Sequence, residues 1–240
     1  MAKKIVIASG KGGVGKSTVT AGLSRALESE GKKVLAIDFD IGLRSLDLLF
    51  GVREQVVRNW GDIVLGNCEK EHAIIHVGDI DFISAPLYYD ETFTPEKVRK
   101  MIRSFDHDYD VIFIDAPAGI SAGFALACAG ADSALVVSTP DDVCVRSVEI
   151  TARNIASHGV KEIRLVINRF IKKLSAKKKF LNVDQVIDLT TVQLIGVIPY
   201  DAKIGFSSME KSTFNFKASS QKSFSRIARR ILGENVPLKL

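Results

Sequence analysis

The sequence predicts an α/β fold in a single domain spanning residues 1–240, with a mostly parallel sheet and helices on both of its faces. Three observations predict it. Short apolar runs alternate with longer segments of helical period along the whole chain. The runs are continuously apolar, as strands covered on both faces are. The first run leads directly into a glycine-rich loop and then a helical stretch, the order of a phosphate-binding βα unit.

Taken in order, the first strand is expected over Lys4 to Ser9, on the run Ile5-Val6-Ile7-Ala8, and the first helix over Ser17 to Glu30. A second strand, Lys33 to Asp38, ends in Asp38-Phe39-Asp40. Phe82 to Ala85 reads as a strand and Thr94 to Ser104 as a helix, within a stretch from Cys68 to Lys100 that carries little motif information. Val111 to Asp115 is a strand ending in Asp115-Ala116-Pro117-Ala118-Gly119. Then follow helix Ala122 to Ala129, strand Ser133 to Ser138, helix Cys144 to His158 and strand Ile163 to Asn168. Helix Val183 to Asp188, strand Leu194 to Ile198 and helix Gln221 to Leu232 complete the pattern. The chain contains no internal repeat, low-complexity tract or interdomain linker.

Composition bounds the class. An apolar fraction of 46% is too high for a disordered chain. Met1-Ala2-Lys3-Lys4 runs straight into the first strand, and no apolar run approaches the ~20 residues of a membrane span, so a soluble cytoplasmic protein is expected. Cys68, Cys128 and Cys144 are odd in number and widely spaced, which argues against a disulfide framework or zinc knuckle and reads as small buried apolar residues. His72, His76, His107 and His158 have no metal-ligand spacing. The net charge of +5 permits nucleic acid or anionic lipid as a partner and requires neither.

The chemistry concentrates in Gly10-Lys11-Gly12-Gly13-Val14-Gly15-Lys16-Ser17-Thr18. Glycines let backbone N–H groups turn onto a triphosphate, Lys16 reaches the β- and γ-phosphates, and the Ser17 hydroxyl can ligate Mg²⁺. The sheet is thereby of P-loop NTPase type, and a nucleotide with Mg²⁺ is the expected ligand. Asp115 closes a strand that reads as a Walker B element holding the Mg²⁺ shell, the alternative being a cap on the next turn. Asp38 and Asp40 stand where the strand gives way to a loop, and their side chains are expected to point different ways, one to the metal and one to water; both also suit a turn. Pro117-Ala118-Gly119 makes a tight turn with backbone free to approach phosphate, a candidate γ-phosphate switch.

Lys11 is the unusual residue, since a second lysine is not needed to cradle phosphates within one subunit. With it the loop resembles the deviant Walker A ATPases, the MinD/ParA family that also includes the nitrogenase iron protein. Ile41-Gly42-Leu43-Arg44-Ser45-Leu46-Asp47 and the Asp115-to-Gly119 turn narrow the resemblance to the MinD branch, over residues 3 to about 235. It implies that Lys11 crosses a homodimer interface to the partner's phosphates, the alternative being a solvated surface lysine. It favours Asp40 for positioning the attacking water, with Asp38 nearer the Mg²⁺. Adenine would be read by Asn168 and by the backbone around Pro199 and Asp201; the residues alone would allow guanine, but an Asn-Lys-x-Asp guanine reader is missing. The catalytic set is thus Lys11, Lys16 and Asp40, and the metal set Ser17, Asp38 and Asp115. The implied activity is ATP hydrolysis coupled to dimerisation, serving spatial regulation such as division-site placement, with regulators of the MinC or MinE type.

Two features depart from the resemblance. Relatives often carry asparagine where Ser45 stands and an acid where Ser147 stands, in regions linked to nucleotide sensing and partner binding. The branch also appends an amphipathic membrane helix, whereas this sequence ends at Pro237-Leu238-Lys239-Leu240, so membrane binding loses its usual support, a peripheral location on the inner face of the cell membrane staying open as the alternative. The helix from Gln221 to Leu232 carries an apolar stripe, Phe224, Ile227, Ala228, Ile231 and Leu232, read as core-facing rather than lipid-facing. Lys172, Lys173, Lys177, Lys178 and Lys179 are the candidate contact for nonspecific DNA, as in a ParA-like segregation ATPase, or for lipid, the favoured alternative being a solvated basic loop. An iron–sulfur carrier would need cysteines paired at a dimer axis, and an ATP-gated binding module would have negligible turnover.

Overall fold

The computed structural model describes residues 1–177, 179–203 and 218–239. Within them one eight-stranded sheet has the order β3-β4-β2-β5-β1-β6-β7-β8. The strands are β1 (Lys3–Ala8), β2 (Val34–Asp38), β3 (Ile75–Val77), β4 (Ile80–Ile83), β5 (Val111–Asp115), β6 (Ser133–Ser138), β7 (Glu162–Phe170) and β8 (Leu194–Pro199). All pair in parallel except β3, which runs antiparallel to β4 at one edge. The described helices are α1 (Lys16–Ser29), α2 (Leu46–Phe50), α3 (Trp60–Leu65), α4 (Pro95–Arg103), α5 (Ala122–Ala129), α6 (Asp142–Ser157), α7 (Lys172–Ala176), α8 (Val183–Thr190) and α9 (Ala218–Ile231).

Continuous apolar runs become buried strands because each alternate side chain meets a different helical layer. Ile5 and Ile7 of β1, with Val111 and Phe113 of β5, pack with Leu23 and Leu27 of α1 and Phe224 and Ile227 of α9. Val6 and Ala8, with Ile112 and Ile114, pack on the other face with Ile102 of α4, Phe124 of α5 and Val148 of α6. The α1–α9 contact is close because Gly22 has no side chain: a Cβ there would lie 2.5 Å from the Phe224 ring. The stripe on α9 is therefore core, as its spacing suggested, and that apolar face is already covered.

Most elements lie within a few residues of their expected positions, and Val111–Asp115, Ala122–Ala129 and Ser133–Ser138 coincide with them. The expected strand at Phe82 to Ala85 sits two residues earlier, because it forms a hairpin with β3, which the sequence reading missed. The signal was Gly78-Asp79 between two alternating stretches, with Gly78 at φ +65°. Three short helices, α2, α3 and α7, were also missed; at five or six residues each is too short for periodicity to register. No helix among the described residues is long and apolar enough to cross a membrane.

Candidate phosphate and metal site

Parallel strands bring the tips of β1, β2, β5 and β7 to one edge of the sheet, where a ligand of such a fold sits. The loop after β1 turns with Gly13 at φ +80° and Gly15 at φ +95°. Gly15 is the N-cap of α1, with no side-chain cap, and the first turn of the helix carries no acid. The first N–H groups of α1, and the positive end of its dipole, are therefore available to an anion. Lys16 opens the helix with its side chain buried at this edge, while Lys11 is exposed. Ser9 Oγ donates to Lys11 O at 2.8 Å, and Gly119 N donates to Ser9 O at 3.2 Å, tying the turn after β5 to the phosphate loop. Gly10 abuts α6 so closely that a Cβ would lie 2.6 Å from Ser147 Oγ.

Asp115 stands at the centre. Its carboxylate is fully buried, with Ser17 Oγ donating to Oδ2 at 2.5 Å and Thr20 Oγ1 to Oδ1 at 2.9 Å. Burial pushes its pKa up, against the opposing pull of the Lys16 charge and the two hydroxyls. Asp38 is its register partner across β2 and β5 and is equally buried. Burial first, and then the Asp115 charge, push Asp38 up to about 8. Its Oδ1 accepts from Asp40 N at 2.8 Å and its Oδ2 from Leu46 N at 3.0 Å, so Asp38 fastens the following loop. Residues two apart on a strand share a face, so alternation by itself does not separate Asp38 from Asp40; β2 ends at Asp38, and Asp40 beyond it is half-buried and feels Lys16, burial raising its pKa while that charge lowers it.

Two buried carboxylates side by side suit a cation, and the Ser17 hydroxyl adds a third hard oxygen donor. Among the described residues no group of three or more Asp, Glu, His or Cys side chains is placed to hold a metal unaided. Two carboxylates with a hydroxyl fit Mg²⁺, which takes one or two carboxylates and completes its octahedron with phosphate oxygens and water.

The base-reading candidates lie further along the edge. Asn168 is buried at the end of β7, where its Nδ2 donates to Val14 O at 2.8 Å and its Oδ1 accepts from Arg169 N at 2.9 Å. Pro199 pairs with Phe170, and Tyr200 N donates to Phe170 O at 3.0 Å, holding the Pro199 to Asp201 backbone beside the tip of β7. Asp201 is buried, and its Oδ1 accepts from Lys203 N at 3.0 Å.

Two contributors were not foreseen. Thr20 lies one turn beyond Ser17 on the same helix face, a spacing that was readable. Trp60, the only tryptophan, is fully buried, donates from Nε1 to Asp38 O at 2.8 Å and stacks on Phe39 at 4.7 Å. Its signal was the Asn59-x-x-Asp62 capping box that starts α3. Cys128 is a core residue whose thiol burial pushes up to about 12, which gives no support to a cluster ligand; Cys144 is buried too, whereas Cys68 is only half-buried. Lys172, Lys173, Lys177 and Lys179 are exposed around α7, and Lys178 lies outside the described residues, as does Leu240.

A family model described as "ParA: NUBPL iron-transfer P-loop NTPase" matches residues 1–232. The septum site-determining protein MinD of Helicobacter pylori is 39% identical over 98% of this chain and 92% of its own length. MinD of Bacillus subtilis is 34% identical over 100% of this chain and 92% of its own. Among solved structures, the MinC:MinD cell division complex of Aquifex aeolicus superposes with a TM-score of 0.89 at 30% identity, covering 100% of this chain and 99% of that one. MinD of Pyrococcus horikoshii complexed with Mg-ADP superposes with a TM-score of 0.84 at 28% identity, covering 96% of each chain.

Proposed function

This chain belongs to the MinD/ParA family of P-loop ATPases, and from that premise we propose that it is a nucleotide-driven dimerisation switch acting in division-site placement. It binds ATP with Mg²⁺ and hydrolyses it to ADP and phosphate. Residues 1–240 work as one nucleotide-binding domain in the cytoplasm, and the ATP-bound homodimer recruits a regulator of the MinC type. The observation that carries the reading is the buried pair Asp38 and Asp115, with Ser17, beside an uncapped helix start and the buried Lys16.

The residues divide the work as follows. The N–H groups of the Gly10-to-Thr18 loop and Lys16 hold the β- and γ-phosphates. Ser17, with Asp115 and Asp38, holds Mg²⁺, which when bound spreads the phosphate charge and lowers the cost of building it up on the leaving oxygen. Asp40, half-buried near Lys16, orients the attacking water in line with the γ-phosphate. Lys11, exposed on its own protomer, reaches the partner's phosphates and neutralises developing charge there. Asn168 and the backbone at Pro199 and Asp201 contact adenine.

The test is light scattering with ADP and with ATP and Mg²⁺. Wild type is expected to be monomeric with ADP and dimeric with ATP. Asp40→Ala should accumulate as the ATP dimer, with turnover down at least ~100-fold, and Lys11→Ala should bind ATP and remain monomeric. A wild type that binds ATP and stays monomeric sinks the switch.

A further inference from the structure

The side chain of Asn168 is engaged with the phosphate loop, and the local backbone is distorted to put it there. The pairing of β7 with β8 is irregular between Ile167 and Phe170, and the pairing of β7 with β6 ends at Ile167. The next residue, Arg169, has φ +54°, an uncommon conformation for a long side chain. Bulges of this kind re-aim a side chain next to a site. Here the result is that Arg169 N–H pins Oδ1 at 2.9 Å, which turns Nδ2 onto Val14 O at 2.8 Å, across 154 residues of sequence.

The loop is shaped to receive it. Gly15 has φ +95°, and a Cβ there would lie 2.4 Å from Asn168 Nδ2, so the glycine is required both by its backbone and by the amide above it. Val14 and Asn168 are both buried, so this bond does not compete with water. Of the donors and acceptors an amide offers, one N–H goes to the loop and one lone pair to Arg169, leaving an N–H and a lone pair. Those remaining groups are a donor and an acceptor, which is what a purine edge needs.

We propose that Asn168 is a positioning residue for the phosphate loop as well as a base contact, so that one amide links the base site to the geometry of the phosphate cradle. This rests on the ATP reading only for the identity of the base. A base bound at Asn168 stiffens the loop, and a loop filled by phosphates presents the amide to the base.

Inorganic tripolyphosphate, which has no base, separates the two roles. Asn168→Asp keeps the acceptor for Arg169 N–H and loses the donor to Val14, and Asn168→Ala loses both. Calorimetric titration with magnesium tripolyphosphate should show about five- to tenfold weaker binding to either variant, the scale of one buried hydrogen bond, and titration with ATP a larger loss. Thermal melting of the ligand-free variants checks that they fold. Hydrogen exchange of the ligand-free proteins gives a reading that needs no ligand: amides of residues 12–18 should exchange faster in Asn168→Asp, with exchange in β1 unchanged. Unchanged exchange in the loop, or tripolyphosphate binding equal to wild type while ATP binding falls, overturns the proposal and leaves Asn168 a base reader alone. A wild type that takes up no ATP sinks the functional reading instead, while the exchange experiment still judges the loop contact.

Discussion

Helices α1 and α6 both follow strands of the same parallel sheet, yet they start in opposite ways. α6 begins at Asp141, whose carboxylate accepts from Cys144 N at 3.0 Å, and α3, α4, α5 and α8 are likewise capped by Asn59, Thr94, Ser121 and Asn182. α1 begins at a left-handed glycine with no side-chain cap. The carboxylates differ in the same sense. Despite some burial, Asp141 is held below the usual carboxylate range by Thr139 Oγ1 and Cys144 N–H, whereas burial and Asp115 push Asp38 up to about 8. One helix start is complete by itself, and the other is arranged for an anion and a cation that the protein does not supply.

The strongest way to break this contrast is to give α1 a cap. Gly15→Asp places a Cβ where Asn168 Nδ2 stands, strains a backbone at φ +95° and puts an acid where phosphate should bind. Strain and repulsion together should weaken ATP binding roughly 100-fold or more, read by titration with a fluorescent nucleotide.

Next in size is the pH dependence of the ligand-free protein. Folded, Asp38 keeps its proton up to about pH 8, whereas the unfolded chain releases it near 3.8. The stability tied to this proton is complete below 3.8 and drains away as pH rises to about 8. Asn at this position does not titrate, so from pH 6 to pH 8 wild type should lose stability relative to Asp38→Asn, on the order of 2 kcal/mol. Parallel denaturation curves for the two proteins check this, and a separation that stays constant across that range would mean that Asp38 is already ionised without a metal.

A smaller effect is expected one turn into α1. Thr20→Val removes the hydroxyl on Asp115 Oδ1 and keeps the shape, so half-maximal ATP binding should need about tenfold more Mg²⁺, with Thr20→Ser close to wild type. Equal Mg²⁺ requirements for all three proteins would make Thr20 a packing residue only. Smallest is the control at the other helix. Asp141→Ala should cost about 1 kcal/mol of stability and leave ATP affinity unchanged, and a loss of affinity there would erase the distinction between the two starts.

Much of the site was legible because its parts are local in sequence. Gly10 to Thr18 forms a loop and helix start from adjacent residues, and Val111–Asp115 is an apolar run ending in an acid, so both could be placed without knowing their neighbours. The stripe on α9 was legible for the same reason, since helical period alone gives its face. Trp60 was not, because its bond to Asp38 O depends on how a short helix is carried back over the tip of β2. The small hairpin of β3 and β4 escaped because three residues of alternation are too few to stand out.

The sequence by itself determined the order of the strands other than β3 and of the longer helices, the phosphate loop, the acids at the strand tips and the core face of the last helix. Each of these follows from periodicity or from the backbone freedom of neighbouring residues. Only the tertiary structure decided that Asp38 and Asp115 stand side by side, that Thr20 grips the second oxygen of Asp115, and that Asn168 reaches Val14. Those relations depend on sheet order, strand register and one irregular pairing, quantities set by packing between distant segments and not by any residue's own preference.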